Sequence, residues 1–295
     1  MMRVVSLVHL SIPWYDFSAM KPRVVGILER AIFRGPTTAW SERAAFWIVN
    51  TLLVFGLFFV LTQIFLYRWT GSLYTEGEGF RLDGVFGGLD NRIPFIPQMA
   101  LFYLFLYYPW TFLTMLYFTF IDYRWGPSFG LSLLLVGFIS VAIYAVFPVS
   151  VYWWRRELLA EPLAGNVWAE LMYRFYERDT SFNCFPSLHA AKSTVVAFFW
   201  LCYCRMHTSR LRVAVAAGSV ILAAGVVLST LFVKQHYIVD EIAGIGLAIA
   251  ASWAVVKLCR PDPDTLIGRS CSRRPRDTHP ACGVSRSTWP GRRSR

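Results

Sequence analysis

The stretch Cys184-Phe185-Pro186-Ser187-Leu188-His189-Ala190-Ala191-Lys192-Ser193 places a histidine where a polar loop meets an apolar run. A second stretch, Lys234-Gln235-His236-Tyr237-Ile238-Val239-Asp240, does the same and adds an aspartate four residues after its histidine. On a helix that spacing puts both side chains on one face, a turn apart. Pro186 suits the first helical positions, where its missing N–H would have no intrahelical partner. Ser187 and the amides of that turn then form a seat for a phosphate. What lies on either side of the two stretches decides the fold.

Only 16% of the 295 residues are charged and 56% are hydrophobic, whereas soluble domains carry about one-quarter charged. The balance points to a membrane protein. Five stretches, 44–67, 99–121, 129–154, 213–233 and 242–256, lack Asp, Glu, Lys and Arg altogether. Most reach the roughly 20 residues that cross a bilayer. A sixth, 187–204, is broken only by Lys192 near one end, where a lysine can snorkel to the interface. The expected fold is all-α, an integral membrane bundle of six transmembrane helices over 44–259. It stands between a cytoplasmic N-terminal segment, 1–43, and a basic, disordered cytoplasmic tail, 260–295.

A net charge of +11 would raise nucleic acid as a partner for a soluble chain. Here the basic residues gather on one side of the expected membrane. Arg3, Lys21, Arg23, Arg30, Arg34 and Arg43 precede the first span, Arg205, Arg210 and Arg212 follow the fourth, and the tail is rich in arginine. The loops 68–98 and 155–186 carry about as many acids as bases. By the positive-inside rule both termini are cytoplasmic and His189 and His236 face outward, as in a bacterial inner membrane. No nucleic-acid partner is expected; the partner is the bilayer. Cys184 alone lies on the outward side, so no disulfide framework forms there within one chain. The other cysteines lack zinc-like spacing, and neither a metal nor a cofactor is expected.

Pro13 and Asp16 interrupt the first apolar run, which does not read as a cleaved signal. Val24, Ile27, Leu28, Ala31 and Ile32 recur at helical spacing between charged residues, a pattern that suits an interfacial helix. The loop 69–98 holds six glycines and ends Asp90-Asn91-Arg92-Ile93-Pro94-Phe95-Ile96-Pro97, so a turn or short re-entrant segment is expected there, with Asp90 and Arg92 at the mouth of a site. Val167, Leu171, Met172, Phe175 and Tyr176 alternate with charged residues and read as a surface helix over the outer face.

A phosphate ester resists attack because its oxygens are already negative. An enzyme without a metal must neutralise that charge, supply a nucleophile and protonate the leaving oxygen. Neutral imidazole can attack phosphorus, giving a phosphohistidine that splits one hard step into two. Asp240 would hold Nδ1–H of His236 and leave Nε2 facing phosphorus. His189 would act as acid and then base. Lys192, Lys234, Arg155 and Arg156 are the candidate cations around the phosphate, with Ser187 as a donor.

Phe185-Pro186-Ser187-Leu188-His189 resembles the PSGH motif of the type 2 phosphatidic acid phosphatase superfamily. The run from Ser229 to Asp240 resembles its SRxxxxxHxxxD motif, with serine, histidine and aspartate at the right intervals. The resemblance covers about residues 95–256. It implies a six-helix membrane core, with His236 as nucleophile and His189 as acid. Leu188 stands for the glycine, and Thr230 for the arginine that contacts phosphate, a charge that Lys234 would supply. The first motif, KxxxxxxRP, has its only counterpart in Phe147-Pro148 followed by Arg155-Arg156. The form PSLH with KQHYxxD is similar to the branch of inositol phosphorylceramide synthases and their bacterial relatives.

The expected function is that of a lipid phosphate phosphatase acting on a phosphomonoester or pyrophosphate through a phosphohistidine at the outer face. The alternative is a lipid phosphotransferase that moves a phospho-headgroup to an alcohol. A transporter would require midspan charges or helix breaks, and the five clean segments carry no midspan charge. A scaffold with structural histidines would tolerate His189→Ala and His236→Ala.

Overall fold

The computed structural model describes residues 44, 47–160, 163–206 and 209–258. Its helices are α1 (Trp47–Gly71), α2 (Pro97–Ile121), α3 (Gly126–Val146), α4 (Tyr152–Ala160), α5 (Val167–Tyr176), α6 (Leu188–Met206), α7 (Arg210–Phe232) and α8 (Ile238–Leu258). Among the described residues no strand occurs, and β-pairing is limited to one isolated bridge, Phe80 to Val149. The described residues form an all-helical fold, as expected. The N-terminal segment with its interfacial helix, and the basic tail, lie outside the described residues.

Five helices, α1, α2, α3, α7 and α8, are long and apolar enough to cross a membrane. The expected sixth span is not among the five that meet that standard in the described residues. The remaining candidate, α6, has 19 residues but includes His189, Lys192 and Arg205. Its position explains the difference. α6 packs against α2, α3, α7 and α8, so a large part of its surface meets protein rather than lipid. A helix so enclosed can carry ionisable groups toward a bundle interior.

Small residues bring α1 and α3 together. A Cβ on Gly130 would lie 3.0 Å from Val54, and one on Gly137 would lie 3.0 Å from Thr62. In lipid, where burial itself drives helix association weakly, such close backbone contact supplies the packing energy. At one end Phe118, Trp125, Phe129, Phe199, Trp200 and Tyr203 form a ring cluster joining α2, α3 and α6. Opposite faces leave Phe59 and Phe65 of α1 and Ile221 and Leu228 of α7 exposed, as lipid-facing positions would be. In α2 the wide helical turns of Leu101–Leu106 precede Pro109, whose missing N–H and ring disturb the turn before it.

The loop after α1 is largely exposed and contains one helical turn, Leu89–Arg92, rather than a re-entrant segment. Gly79 lets it close onto the segment after α3. Its φ is +92°, and a Cβ would meet the Pro148 carbonyl oxygen at 2.6 Å. Phe80 N–H then donates to that carbonyl at 2.7 Å, and Ser150 N–H to the Phe80 carbonyl at 3.0 Å.

The surface helix expected from the 167–176 pattern is α5. Asn166 caps it, accepting from Trp168 and Ala169 N–H at 3.1 and 3.2 Å. Its buried residues Ala169, Met172, Tyr173 and Tyr176 cluster with Ala100, Tyr103 and Val233, next to the loop that carries His236.

Candidate active site

The two motifs meet at the start of α6 and α8. Ser187 precedes α6 and its Oγ accepts from Ala190 N–H at 3.2 Å, which is an N-cap. Ser187 N–H donates to the Asp240 carbonyl at 2.9 Å, tying one motif to the other. The helix begins at Leu188, so Pro186 lies before it rather than in its first turn. Ser187 is fully buried, and its Oγ caps the helix.

Gly244 allows this approach. A Cβ there would fall 2.4 Å from the Ser187 carbonyl oxygen, a backbone atom that cannot step aside alone. Gly244→Ala is therefore expected to push α8 away from the start of α6. The cost should be about 1–3 kcal/mol, with activity lost beyond what stability explains. Thermal unfolding in detergent alongside turnover checks both.

The histidines, 47 residues apart in sequence, face each other with His189 Nδ1 3.2 Å from His236 Nε2. Their tautomers follow from the surrounding acceptors. His236 Nδ1 lies 3.0 Å from the Cys184 carbonyl, which can only accept, so Nδ1 carries the proton. Nε2 of the neutral ring is then the lone-pair nitrogen, and His189 must donate to it from Nδ1. On the far side His189 Nε2 sits 3.5 Å from the Tyr108 hydroxyl. The network thus pairs a lone-pair nitrogen on one ring with an N–H on the other, a hydrogen bond that must open before Nε2 can reach phosphorus.

Asp240 stands in the first turn of α8, while His236 precedes the helix. The two are close without sharing a helix face, which corrects the spacing argument. Asp240 Oδ2 is 3.5 Å from His236 Nδ1 and accepts from Tyr237 N–H at 2.9 Å, where it also caps the helix. The Cys184 carbonyl is the shorter partner of the imidazole. Burial alone would lower the His236 pKa. The Asp240 hydrogen bond, the charges of Glu241 and Asp240 and the Cys184 carbonyl outweigh it and raise it above the ordinary imidazole value.

The candidate cations do not converge. Arg155 is buried and makes four bonds. Its guanidinium donates to the Asp179 and Thr180 carbonyls at 2.9 Å each, to Asp179 Oδ2 at 3.0 Å and to Gln235 Oε1 at 2.6 Å. It thereby anchors the residue beside His236. Arg156 is exposed. Lys234, with φ of +53°, turns its ammonium to the Asp90 carbonyl at 3.0 Å and over the Trp154 ring at 4.5 Å. Lys192 lies one turn beyond His189 on α6, bonded to Gln63 Oε1 at 2.9 Å.

Three residues take roles that the motifs did not assign them. Glu241, adjacent to Asp240 and 2% exposed, accepts from the Thr230 hydroxyl at 2.8 Å. An acid opening an apolar run was the one signal for it. Asp90 is fully buried and its Oδ1 accepts from Ile238 N–H at 2.7 Å. It caps α8 rather than lining a mouth, and Arg92 is exposed. Gln235 links Arg155 to the nucleophile loop, and its Nε2 has no partner among the described residues.

A cavity of about 250 Å³ opens onto His189 and Lys192, between Phe58, Gln63, Tyr107 and Asp179. Cys184 Sγ, His236 Nδ1 and an Asp240 oxygen lie within 4.8 Å of one another. Two features disfavour a metal there. The ring nitrogen is already committed to the Cys184 carbonyl, and burial raises the thiol pKa, away from the thiolate that metals bind.

A helical bundle with membrane-crossing dimensions that sets two imidazoles nitrogen to nitrogen, backed by carboxylates, has the parts for phosphoryl transfer. Residues 165–262 match the family model of the PAP2 superfamily, which supports a phosphatase or phosphotransferase type of function. The match spans α5 to α8 and both histidines, leaving Arg155 and the α1 and α2 walls of the cavity outside. No curated protein and no solved structure matches the chain.

Proposed function

We propose that this chain is a lipid phosphatase working through a phosphohistidine on His236, at the outer face of a bacterial inner membrane. The observation that carries it is the 3.2 Å approach of His189 Nδ1 to His236 Nε2. A phosphoryl group entering between the rings meets the lone pair of one and the N–H of the other. His236 Nε2 forms the bond to phosphorus as the bond to the lipid oxygen breaks. His189, doubly protonated as imidazolium for this step, gives its Nδ1 proton to that oxygen and is left neutral. Water then attacks phosphorus and returns a proton to His189, releasing phosphate. The Cys184 carbonyl and Asp240 stabilise the Nδ1–H that this step needs. Both termini are placed on the cytoplasmic side, with α6 as a sixth span lined by protein.

The test is phosphate release from phosphatidate, lysophosphatidate, sphingosine phosphate and a polyprenyl pyrophosphate by purified protein in detergent with EDTA. Release supports the phosphatase. Transfer to inositol or a glycerolipid, with no release to water, would move the assignment to the phosphotransferase.

The pH dependence has a definite sign. His236 attacks only as neutral imidazole, and its pKa is raised. Activity is therefore present above that pKa and lost as pH falls through it. The acid limb of kcat/KM should lie above the ordinary histidine value of about 6.5. Asp240→Asn removes a raising interaction and should move that limb downward. A limb that stays in place would contradict the electrostatic role of Asp240.

A further inference from the structure

Each of the two histidines has a buried donor beside it that finds no acceptor. The first is the Gln235 amide, one residue before His236 and 3% exposed. Arg155 Nη2 can only donate, so the amide turns Oε1 toward it, at 2.6 Å, and Nε2 away. Nε2 then has no hydrogen-bond partner among the described residues. The same Arg155 nitrogen donates to Asp179 Oδ2 at 3.0 Å, and Asp179 lines the cavity with His189. The amide is thereby held between the nucleophile and the cavity rim. The second donor is the Tyr103 hydroxyl. Tyr103 is fully buried, lines the same cavity and packs its ring 4.8 Å from that of His189. Its hydroxyl has no hydrogen-bond partner among the described residues either.

A donor that leaves water and gains no acceptor loses its hydration without return, so such groups are rare in folded chains. Two of them flanking one reacting pair are met by a ligand that brings its own acceptors. A phosphoryl group brings three non-bridging oxygens. Of the four candidate cations, Lys192 alone lines the cavity with His189. Much of the work of holding those oxygens therefore falls to neutral donors.

Resting on the phosphatase reading above, we infer that Gln235 Nε2 and the Tyr103 hydroxyl are catalytic donors to the non-bridging oxygens of the phosphoryl group. Both hydrogen bonds hold while His236 Nε2 bonds to phosphorus and the bond to the lipid oxygen breaks. Neither donor gives up its proton; the proton for the leaving oxygen still comes from His189. The pair aligns phosphorus with the nucleophile and offsets the charge on its oxygens, which is the main protein contribution to phosphoryl transfer. Arg155 acts through Gln235 as a positioning residue, because it decides which end of the amide faces the substrate.

The experiment measures phosphate release from the four lipid phosphates above by wild type, Tyr103→Phe and Gln235→Glu, beside thermal unfolding in detergent. Tyr103→Phe removes the hydroxyl alone. It should lose about tenfold or more in kcat, with an unfolding midpoint unchanged or raised because no partner is orphaned. Gln235→Glu keeps an oxygen for Arg155 and removes both N–H donors. It should lose about 10²-fold, with a midpoint no lower than wild type. The loss should be as large in an Asp179→Asn background, where the added negative charge is cancelled. Either variant within about threefold of wild type overturns the donor pair and leaves the phosphatase standing. So does a Tyr103→Phe loss matched by a lowered midpoint, or a Gln235→Glu loss that vanishes beside Asp179→Asn. Release from none of the four by folded wild type overturns the phosphatase reading and the donor pair with it.

Discussion

His236→Ala is expected to lower phosphate release from a lipid phosphate by about 10⁴-fold or more, because it removes the atom that bonds to phosphorus. Loss of one buried hydrogen bond to the Cys184 carbonyl costs the fold only about 1–2 kcal/mol. The change in rate and the change in stability are thus far apart in size. His236→Asn sharpens the comparison. Its amide N–H can still reach the Cys184 carbonyl, so the loop keeps its anchor while the nucleophile is gone. Both variants should be equally inactive, with His236→Asn the more stable. Rates measured beside thermal unfolding in detergent test this. Retention of even a tenth of the wild-type rate by either variant would assign the attack elsewhere.

The second large effect is structural. Arg155→Met is expected to destabilise the protein by about 3 kcal/mol, because it breaks one half of a buried ion pair. The Asp179 carboxylate, 17% exposed, loses its bridge, and the Asp179 and Thr180 carbonyls and Gln235 Oε1 lose their donor. These partners join the start of α4, the loop before α6 and the residue beside His236. Activity should fall with stability, because the loop holding the nucleophile is released. Arg155→Lys cannot reproduce a four-acceptor fork and should recover only part of the loss. Unfolding midpoints in detergent for the three proteins check the order. A midpoint unchanged in Arg155→Met would show that the network contributes nothing to the fold.

The helices and the histidine pair were legible for a simple reason. Apolar runs of bilayer length state their fold without reference to partners, and each motif histidine sits at the edge of one. Ser187 and Gly244 show where that reading stops. The serine is the right residue for both a phosphate seat and an N-cap, and only the placed Ala190 N–H at its Oγ shows the cap. Gly244 reads as one small residue among many in α8 until the Ser187 carbonyl is placed against it. The charged residues were hardest to place. Lysines and arginines have long, flexible side chains, so proximity in sequence says little about where the charge ends. Lys234 is two residues from His236 yet turns to Asp90, 144 positions away. Arg155 is far from His236 in sequence yet reaches its neighbour Gln235. Backbone acceptors such as the Cys184 carbonyl leave no trace in residue identity at all.

The most direct test of the central claim is to trap the phosphoenzyme. Wild-type protein is mixed with a lipid phosphate labelled in its phosphoryl group, quenched in alkali within the first turnover, and digested for peptide mass spectrometry. The account expects an acid-labile, alkali-stable phosphate on His236, absent from His236→Asn; in His189→Ala it should form and break down more slowly, because the leaving oxygen has lost its acid and water its base. Label on any other residue, or turnover of substrate in wild type with no phosphohistidine at any time point, would contradict it.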